Sequence, residues 1–498
     1  MSARTPAWHA VPDAVGVAGQ WRPADLRGLP ATLRYGATLS GVALAAARGR
    51  PRKVLLVDGT GPVRGAELEA AADVAARGLA RAMREARDLG RREVGVCAGN
   101  HRGLLAGLTA AGALGLDAVL VPPSAGRELL TAAFADLDVV LTDTVTEELV
   151  ASTAPHARRV DTRARPDGLG GSLRSVPRPR RAGRLRLLTS GTTGTPKTVE
   201  RGGAAIGQLA TVLSLMRALE LRRDEPVVLA PSVAHGHGLS VLTAALVVGA
   251  PVVMAHGADG AELVELVHAH DAGVLAVVPA QLADVLHALE DEVAAGAPLP
   301  ELPTLRRVVT GSAPLTAGLV ERARALLGDI VVDFYGSSEA GTATIARPDD
   351  LRTAPGTVGR PAAGVRVEIV DDGGAPVPVG VVGQVRISSP WRAAEQDAAL
   401  QVGDLGHLDE QGRLFLDGRA DDLVDVGGHL VSTSRVRDWF AQQPGVRDAV
   451  VHVLDHSELG HELLVEVTGS ADVTELRERA LAELGPASAP RLVERDPR

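Results

Sequence analysis

The sequence predicts an α/β protein: a large region of doubly wound parallel sheet, then a β-rich subdomain, then a small separate α+β domain. Three observations carry this. From Lys53 to about Phe334, short apolar runs alternate with longer Ala-rich stretches, the pattern of parallel strands covered by helices on both faces. From about Gly359 the texture changes to short strands divided by Gly, Pro and Asp turns. From about Arg419 strands and two helices mix, as in a small domain of its own.

Taken in order, residues 1–50 carry Pro, Gly and Arg without a period and read as an irregular lead-in. Val54–Val57 is the first strand, followed by a helix over Gly65–Arg87, a strand at Glu93–Cys97 and a helix at His101–Leu114. Ala118–Val121 and Asp138–Leu141 continue the strand series. Residues 158–186, with Arg178-Pro179-Arg180-Arg181, read as an exposed linker, an anion-binding patch being the alternative. Helices at Gly202–Leu219, Leu239–Val248, Ala261–His270 and Gln281–Ala295 then alternate with strands at Pro226–Leu229, Pro251–Met254 and Val274–Val278. Leu305–Val309 and Ile330–Phe334 are two more strands. Val365–Val370, Gly383–Ser388 and Arg413–Asp417 form the β-subdomain. The last segment has strands at Val424–Val426, Ala449–Leu454 and Leu463–Val467, with helices near Ser434–Gln442 and at Val473–Leu484.

Length and composition bound the function. A chain of 498 residues exceeds one ordinary core, so two or three domains are expected. Its 45% apolar and 23% charged residues are those of a soluble globular protein. Aromatics make up 2%, so Ala, Leu and Val must fill the core. The net charge of −9 gives no support for nucleic-acid binding. Cys97 is the one cysteine, which excludes an intrachain disulfide and a multi-cysteine metal site. No charged start followed by an apolar core is present, so no signal peptide is read. The most apolar long run, Leu239 to Ala255, contains Gly249 and Pro251 and reads as a buried helix and a strand, not a membrane span. A cytoplasmic location follows as the default.

The chemistry is concentrated in Leu187-Leu188-Thr189-Ser190-Gly191-Thr192-Thr193-Gly194-Thr195-Pro196-Lys197. Glycines let backbone N–H groups turn toward an anion, and hydroxyls add donors. Lys197 supplies a point charge for phosphate. A Walker A loop needs Gly before Lys, and Pro196 holds that place. A plain polar loop is the alternative for the Gly/Ser/Thr run taken alone. Lys53 and Lys197 are the only lysines, so chemistry needing lysine must use one of them.

Further along come Gly311-Ser312-Ala313-Pro314, Tyr335-Gly336-Ser337-Ser338-Glu339, Pro355-Gly356-Thr357-Val358-Gly359-Arg360-Pro361, Val402-Gly403-Asp404 and Gly418-Arg419-Ala420-Asp421-Asp422. In this order, over roughly residues 50 to 490, they resemble the adenylate-forming superfamily of acyl-CoA synthetases, luciferases and adenylation domains, and look most like bacterial acyl-CoA synthetases. The resemblance implies a domain of residues 1–418 and a small domain of 419–498 that rotates between two steps. ATP and a carboxylic acid would form an acyl-adenylate and pyrophosphate. A thiol of CoA or of a carrier protein would then take the acyl group.

Residue by residue, the resemblance assigns roles. Thr189, Ser190, Gly191, Thr192, Thr193 and Gly194 with Lys197 would hold the phosphates, and Glu339, a hard oxygen donor, would hold Mg²⁺. Ser338 would hold the α-phosphate. Gly311, Ser312 and Ala313 would flank adenine, Tyr335 with Gly336 would stack on it, and Asp404 would accept both ribose hydroxyls. Arg419 would reach ribose or phosphate, Asp421 would be the hinge, and Gly427 and Gly428 would face the thiol. His235, in Ala234-His235-Gly236-His237-Gly238, would orient or exclude the carboxylate, a satisfied structural histidine being the main alternative and a two-histidine metal site a remote one.

Departures keep the function open. The superfamily's terminal Pro-Lys-Thr-x-x-Gly-Lys stretch has no counterpart, and no lysine follows Lys197. Asp425 stands where the family has lysine, and Thr433-Ser434-Arg435 where it has Pro-x-Glu. The segment between Pro390 and Gln401 is short. Three readings follow: an acid-activating ligase; a relative that activates a small oxyanion such as nitrite or uses a preformed adenylate; a non-catalytic nucleotide- or acyl-binding partner.

Overall fold

In a computed structural model of the chain, the structure describes residues 2–4, 19–85, 92–163, 173, 179, 181, 183–189, 197–201, 206–296, 298–337, 340–390, 399–420, 422–456, 460–486 and 488–494. It forms two compact units, one of residues 8–258 with 266–276 and one of 1–7, 259–265 and 277–498.

The first unit is α/β, as the alternation predicts. Six strands lie in the order Arg158–Asp161, Val139–Thr142, Glu93–Cys97, Asp117–Leu120, Leu185–Thr189, Lys197–Arg201. All neighbours are parallel except the last pair, which is antiparallel. A second run orders Val274–Ala276, Val227–Leu229, Val252–Met254, Val54–Asp58 and Gly61–Arg64, parallel up to the closing hairpin. The inner strands Val139–Thr142, Glu93–Cys97, Asp117–Leu120, Val227–Leu229, Val252–Met254 and Val274–Ala276 are rich in small and branched apolar residues and almost wholly buried, as sheets covered on both faces require. The helix Arg102–Ala113 is buried from Gly103 onward, which its Gly- and Ala-rich surface permits by close packing. The expected Leu239–Val248 helix starts earlier, at Gly236, and stops at Gly249, whose φ of 94° ends it in the left-handed region.

Two expectations are corrected here. The lead-in is not irregular: Leu29–Tyr35 and Leu39–Gly49 are helices, the second capped by the Thr38 hydroxyl accepting from Gly41 N–H. Ala43, Leu44, Ala46 and Ala47 of that helix are buried core. Small apolar residues with interspersed Gly hid the period. Where it is described, the 158–186 segment is not a bare linker, while Arg178 and Arg180 of the candidate anion patch lie outside the described residues. Arg158–Asp161 is a strand, Leu173 is buried beneath the Tyr35 hydroxyl that donates to its carbonyl at 3.1 Å, and Arg181 donates to buried Asp117 at 2.8 Å.

The second unit holds the β-subdomain. Its strands run Ser2–Arg4, Arg366–Val370, Gly383–Ser388, Leu400–Leu408, Leu414–Arg419, Thr357–Pro361, Gly341–Ala346, Val331–Ser337, Arg307–Gly311. Neighbours are antiparallel until the final, parallel pair. The C-terminal segment makes its own sheet from Leu423–Val426, His429–Ser432, Val446–His456, Gly460–Gly469 and Arg491–Glu494. The helices Thr433–Ala441 and Val473–Leu484 cover it over a core of Trp439, Phe440, Val465, Leu476 and Ala480.

Candidate nucleotide-binding site

The hairpin of Leu400–Leu408 and Leu414–Arg419 sets the first part of the site. Its tight end is locked by Asp409, whose carboxylate accepts from Arg413 N–H at 2.8 Å and from Arg413 Nε at 2.6 Å. A bulge between Leu405 and Gly406 absorbs one residue of the partner strand, and Asp404 then falls opposite Arg419. Their side chains pair at 3.5 Å. Tyr335, from the strand Val331–Ser337, donates its hydroxyl to the other oxygen of Asp404 at 2.6 Å. Burial pushes the Tyr335 phenol well above its ordinary pKa, the Asp404 charge adds to this, and Arg419 opposes it. Tyr335 is therefore a neutral donor at any physiological pH. The structure brings Tyr335, Asp404 and Arg419 together: one carboxylate accepts from the phenol and pairs with the guanidinium.

The same strand carries Asp333, on the face of Tyr335 two residues away. Asp333 is buried, and burial raises its carboxyl to about 6 against the Thr310 hydroxyl, which donates at 2.6 Å, and the Phe334 N–H. Sequence reading missed it, although an acidic residue in an apolar strand was a visible signal. Next to Thr310, Gly311 ends the strand Arg307–Gly311 and pairs with Phe334. Ser312 then takes φ of 70°, a left-handed conformation that disfavours any residue with a Cβ. Gly336 follows a bulge after Tyr335, and a Cβ there would meet the Gly341 carbonyl oxygen at 2.0 Å. Only glycine fits at that point.

Thr189 and Lys197, which flank the candidate phosphate segment, are antiparallel register partners. Lys197 thus begins a strand, Lys197–Arg201, rather than ending a loop. Ser190 to Pro196, and Ser338 and Glu339, lie outside the described residues. Lys53, the other lysine, pairs with Asp224 at 3.3 Å. Among the described residues no group of three or more His, Cys, Asp or Glu could hold a metal ion.

His235 precedes the first turn of the helix Gly236–Val248. Partial burial lowers its pKa, and neighbouring His256 lowers it further, which favours the neutral imidazole. Asn100, missed in the sequence, places this loop: its amide donates to the Pro231 carbonyl at 2.9 Å and accepts from Val233 N–H at 3.0 Å. Behind it, His101 Nε2 meets Asp143 at 2.9 Å while Nδ1 accepts from Gly103 N–H. Burial would raise the Asp143 carboxyl, but the bonds from His101, Gly99 and Thr146 hold it well below the usual carboxylate range.

Asp421 lies outside the described residues. Asp422 beside it accepts from the Ser432 hydroxyl at 3.1 Å and from Ser434 N–H at 2.8 Å, and from the Thr433 hydroxyl as well. Gly427 and Gly428, with φ of 61° and 86°, are the central residues of the two-residue turn joining Leu423–Val426 to His429–Ser432, as a type I′ hairpin demands. Asp425 closes that turn by accepting from Gly428 N–H at 2.7 Å. The departure at Asp425 thus has a local structural use. Both glycines are exposed.

The profile of a family described as AMP-binding enzyme matches residues 44–394. The fatty acid–[acyl-carrier-protein] ligase ScoC of Streptomyces coeruleorubidus is 28% identical over 284 residues, 53% of this chain and 54% of that protein. The indoleacetate–CoA ligase of Aromatoleum aromaticum is 28% identical over 289 residues, 54% of each. The chain thus spans about half the length of these curated relatives. The amide bond synthetase McbA of Marinactinospora thermotolerans is 26% identical, with a TM-score of 0.73 over 93% of this chain and 96% of that one. No helix among the described residues is long and apolar enough to cross a membrane.

Proposed function

The chain belongs to the AMP-binding enzyme family, and from that premise we propose that it activates a carboxylic acid with ATP as an acyl-adenylate and passes the acyl group to a thiol of CoA or a carrier protein. The observation that carries this reading is the Tyr335–Asp404–Arg419 cluster, where a carboxylate suited to a diol is held by two donors. In this reading Asp404 accepts the ribose hydroxyls, Tyr335 stacks on adenine, and Lys197 supplies a charge for the phosphates. In the same reading His235 lies beside the acid. The carboxylate oxygen attacks the α-phosphorus, the bond to the β-phosphate oxygen breaks, and pyrophosphate leaves. Mg²⁺, when bound, supplies charge neutralisation on the phosphates, with Glu339 as its protein ligand.

A second acceptor is favoured by one finding. The amide bond synthetase resembles this chain over nearly its whole length, so an amine is the alternative to the thiol. The two share the first half-reaction. The test incubates the enzyme with ATP, Mg²⁺ and a panel of acids, with CoA or an amine present. Acid-dependent pyrophosphate is expected, with a thioester or an amide found by mass spectrometry. ATP binding without pyrophosphate for any acid would reject the ligase reading. Pyrophosphate driven by nitrite would move it to oxyanion activation.

A further inference from the structure

Gln442 ends the helix Thr433–Ala441 of the C-terminal segment, and only 4% of its surface is exposed. Its amide Nε2 donates to the Pro314 carbonyl at 2.8 Å, and its Oε1 accepts from Thr316 N–H at 2.9 Å. Its own backbone carbonyl accepts from Arg322 at 3.0 Å. Arg322 is in turn gripped by both oxygens of Glu290, at 3.0 and 2.8 Å. Both polar atoms of the buried side-chain amide are thereby spent on Pro314, the last residue of the Gly311-Ser312-Ala313-Pro314 turn, and Thr316 just after it. Thr316 also caps the helix Ala317–Leu327, so the contact joins one helix end to one helix start. A buried amide leaves such a site only by stranding polar groups on both sides.

We propose that Gln442 is a positioning residue: it latches the 419–498 domain to Pro314–Thr316 and so couples the place of that domain to the candidate adenine turn. The inference rests on the nucleotide reading of that turn and on the expected two-step reaction. In the latched arrangement the Gly427–Gly428 turn is solvent-exposed, and a Cβ built on Gly428 meets nothing within 4 Å. A thiol-side turn in that condition belongs to the step before acceptor attack. The latch therefore favours adenylate formation, and its release favours transfer.

The test compares the wild type with Gln442→Leu, which keeps volume and removes both amide bonds, and Gln442→Glu, which keeps the acceptor for Thr316 and loses the donor for Pro314. Hydrogen exchange is read on the protein without substrates. Gln442→Leu is expected to speed exchange at the Thr316 amide by roughly ten- to a hundredfold, as loss of two buried hydrogen bonds implies. Exchange in the helix Val473–Leu484 should stay unchanged, which excludes misfolding, and Gln442→Glu should fall between. In partial reactions the ratio of pyrophosphate exchange to transfer from supplied acyl-adenylate should fall several-fold in Gln442→Leu. Unchanged exchange at Thr316, or a released Thr316 with an unmoved ratio, would overturn the latch. If no acid supports pyrophosphate exchange in the wild type, the functional reading fails separately, and the Thr316 exchange alone decides whether the latch exists.

Discussion

Asp404 answers to Tyr335 and Arg419 at once, so its three-way geometry is testable one atom at a time. Tyr335→Phe removes one donor and leaves the ring. AMP affinity by calorimetry should fall about threefold to tenfold, the loss of about one hydrogen bond to a charged group. Asp404→Asn removes the charge that Arg419 faces and should cost roughly 10- to 100-fold. Ser312 is the opposite case, a residue in a conformation that suits glycine. Ser312→Gly should be neutral to stabilising by up to about 1 kcal/mol in urea unfolding, while Ser312→Val should destabilise. Tyr335, Asp404 and Arg419 were legible in the sequence because each lies inside a short ordered motif. Asn100, Asp333 and Gln442 were not. Asn100 finds its partner 131 residues away and Gln442 finds one 128 residues away, and no local pattern encodes such a pairing.

At the scale of elements, the strand Val331–Ser337 carries a buried acid that should make stability depend on pH. The Asp333 carboxyl is raised from 3.8 to about 6. The stability it contributes is complete below the unfolded value near 3.8 and is lost as pH rises through about 6. Asp333→Asn should therefore gain stability relative to the wild type between pH 5 and pH 8, by roughly 1–3 kcal/mol, read as a difference in melting temperature. An identical difference at both pH values would reject the assignment. In the loop before Gly236–Val248, Asn100→Ala should strand the Pro231 carbonyl and Val233 N–H and let His235 wander. The value of kcat/KM for the acid should drop about tenfold with KM for ATP little changed. Strands with dense Val and Leu were legible in the sequence. The helices before residue 50 and the strand Arg491–Glu494 were not, because small residues blur the helical period and short edge strands carry too few apolar positions.

For the whole molecule, the α/β class and the order of elements followed from alternating periodicity, which a long chain repeats often enough to read. The grouping of residues 259–265 with 277–498 did not, since it depends on contacts between distant segments. The chain belongs to the AMP-binding enzyme family, and the proposed reaction, formation of an acyl-adenylate, leaves a mark in the oxygen bookkeeping. If the carboxylate attacks the α-phosphorus and a nucleophile then attacks the acyl carbon, one carboxylate oxygen must leave with AMP. The direct measurement supplies an acid labelled with ¹⁸O in both carboxyl oxygens, ATP, Mg²⁺ and hydroxylamine as the trapping nucleophile, and weighs the AMP by mass spectrometry. The account predicts hydroxamate and AMP in equal amounts, with one ¹⁸O in each AMP, and loss of both products in Lys197→Ala. AMP without label, or ADP and phosphate in its place, would contradict it.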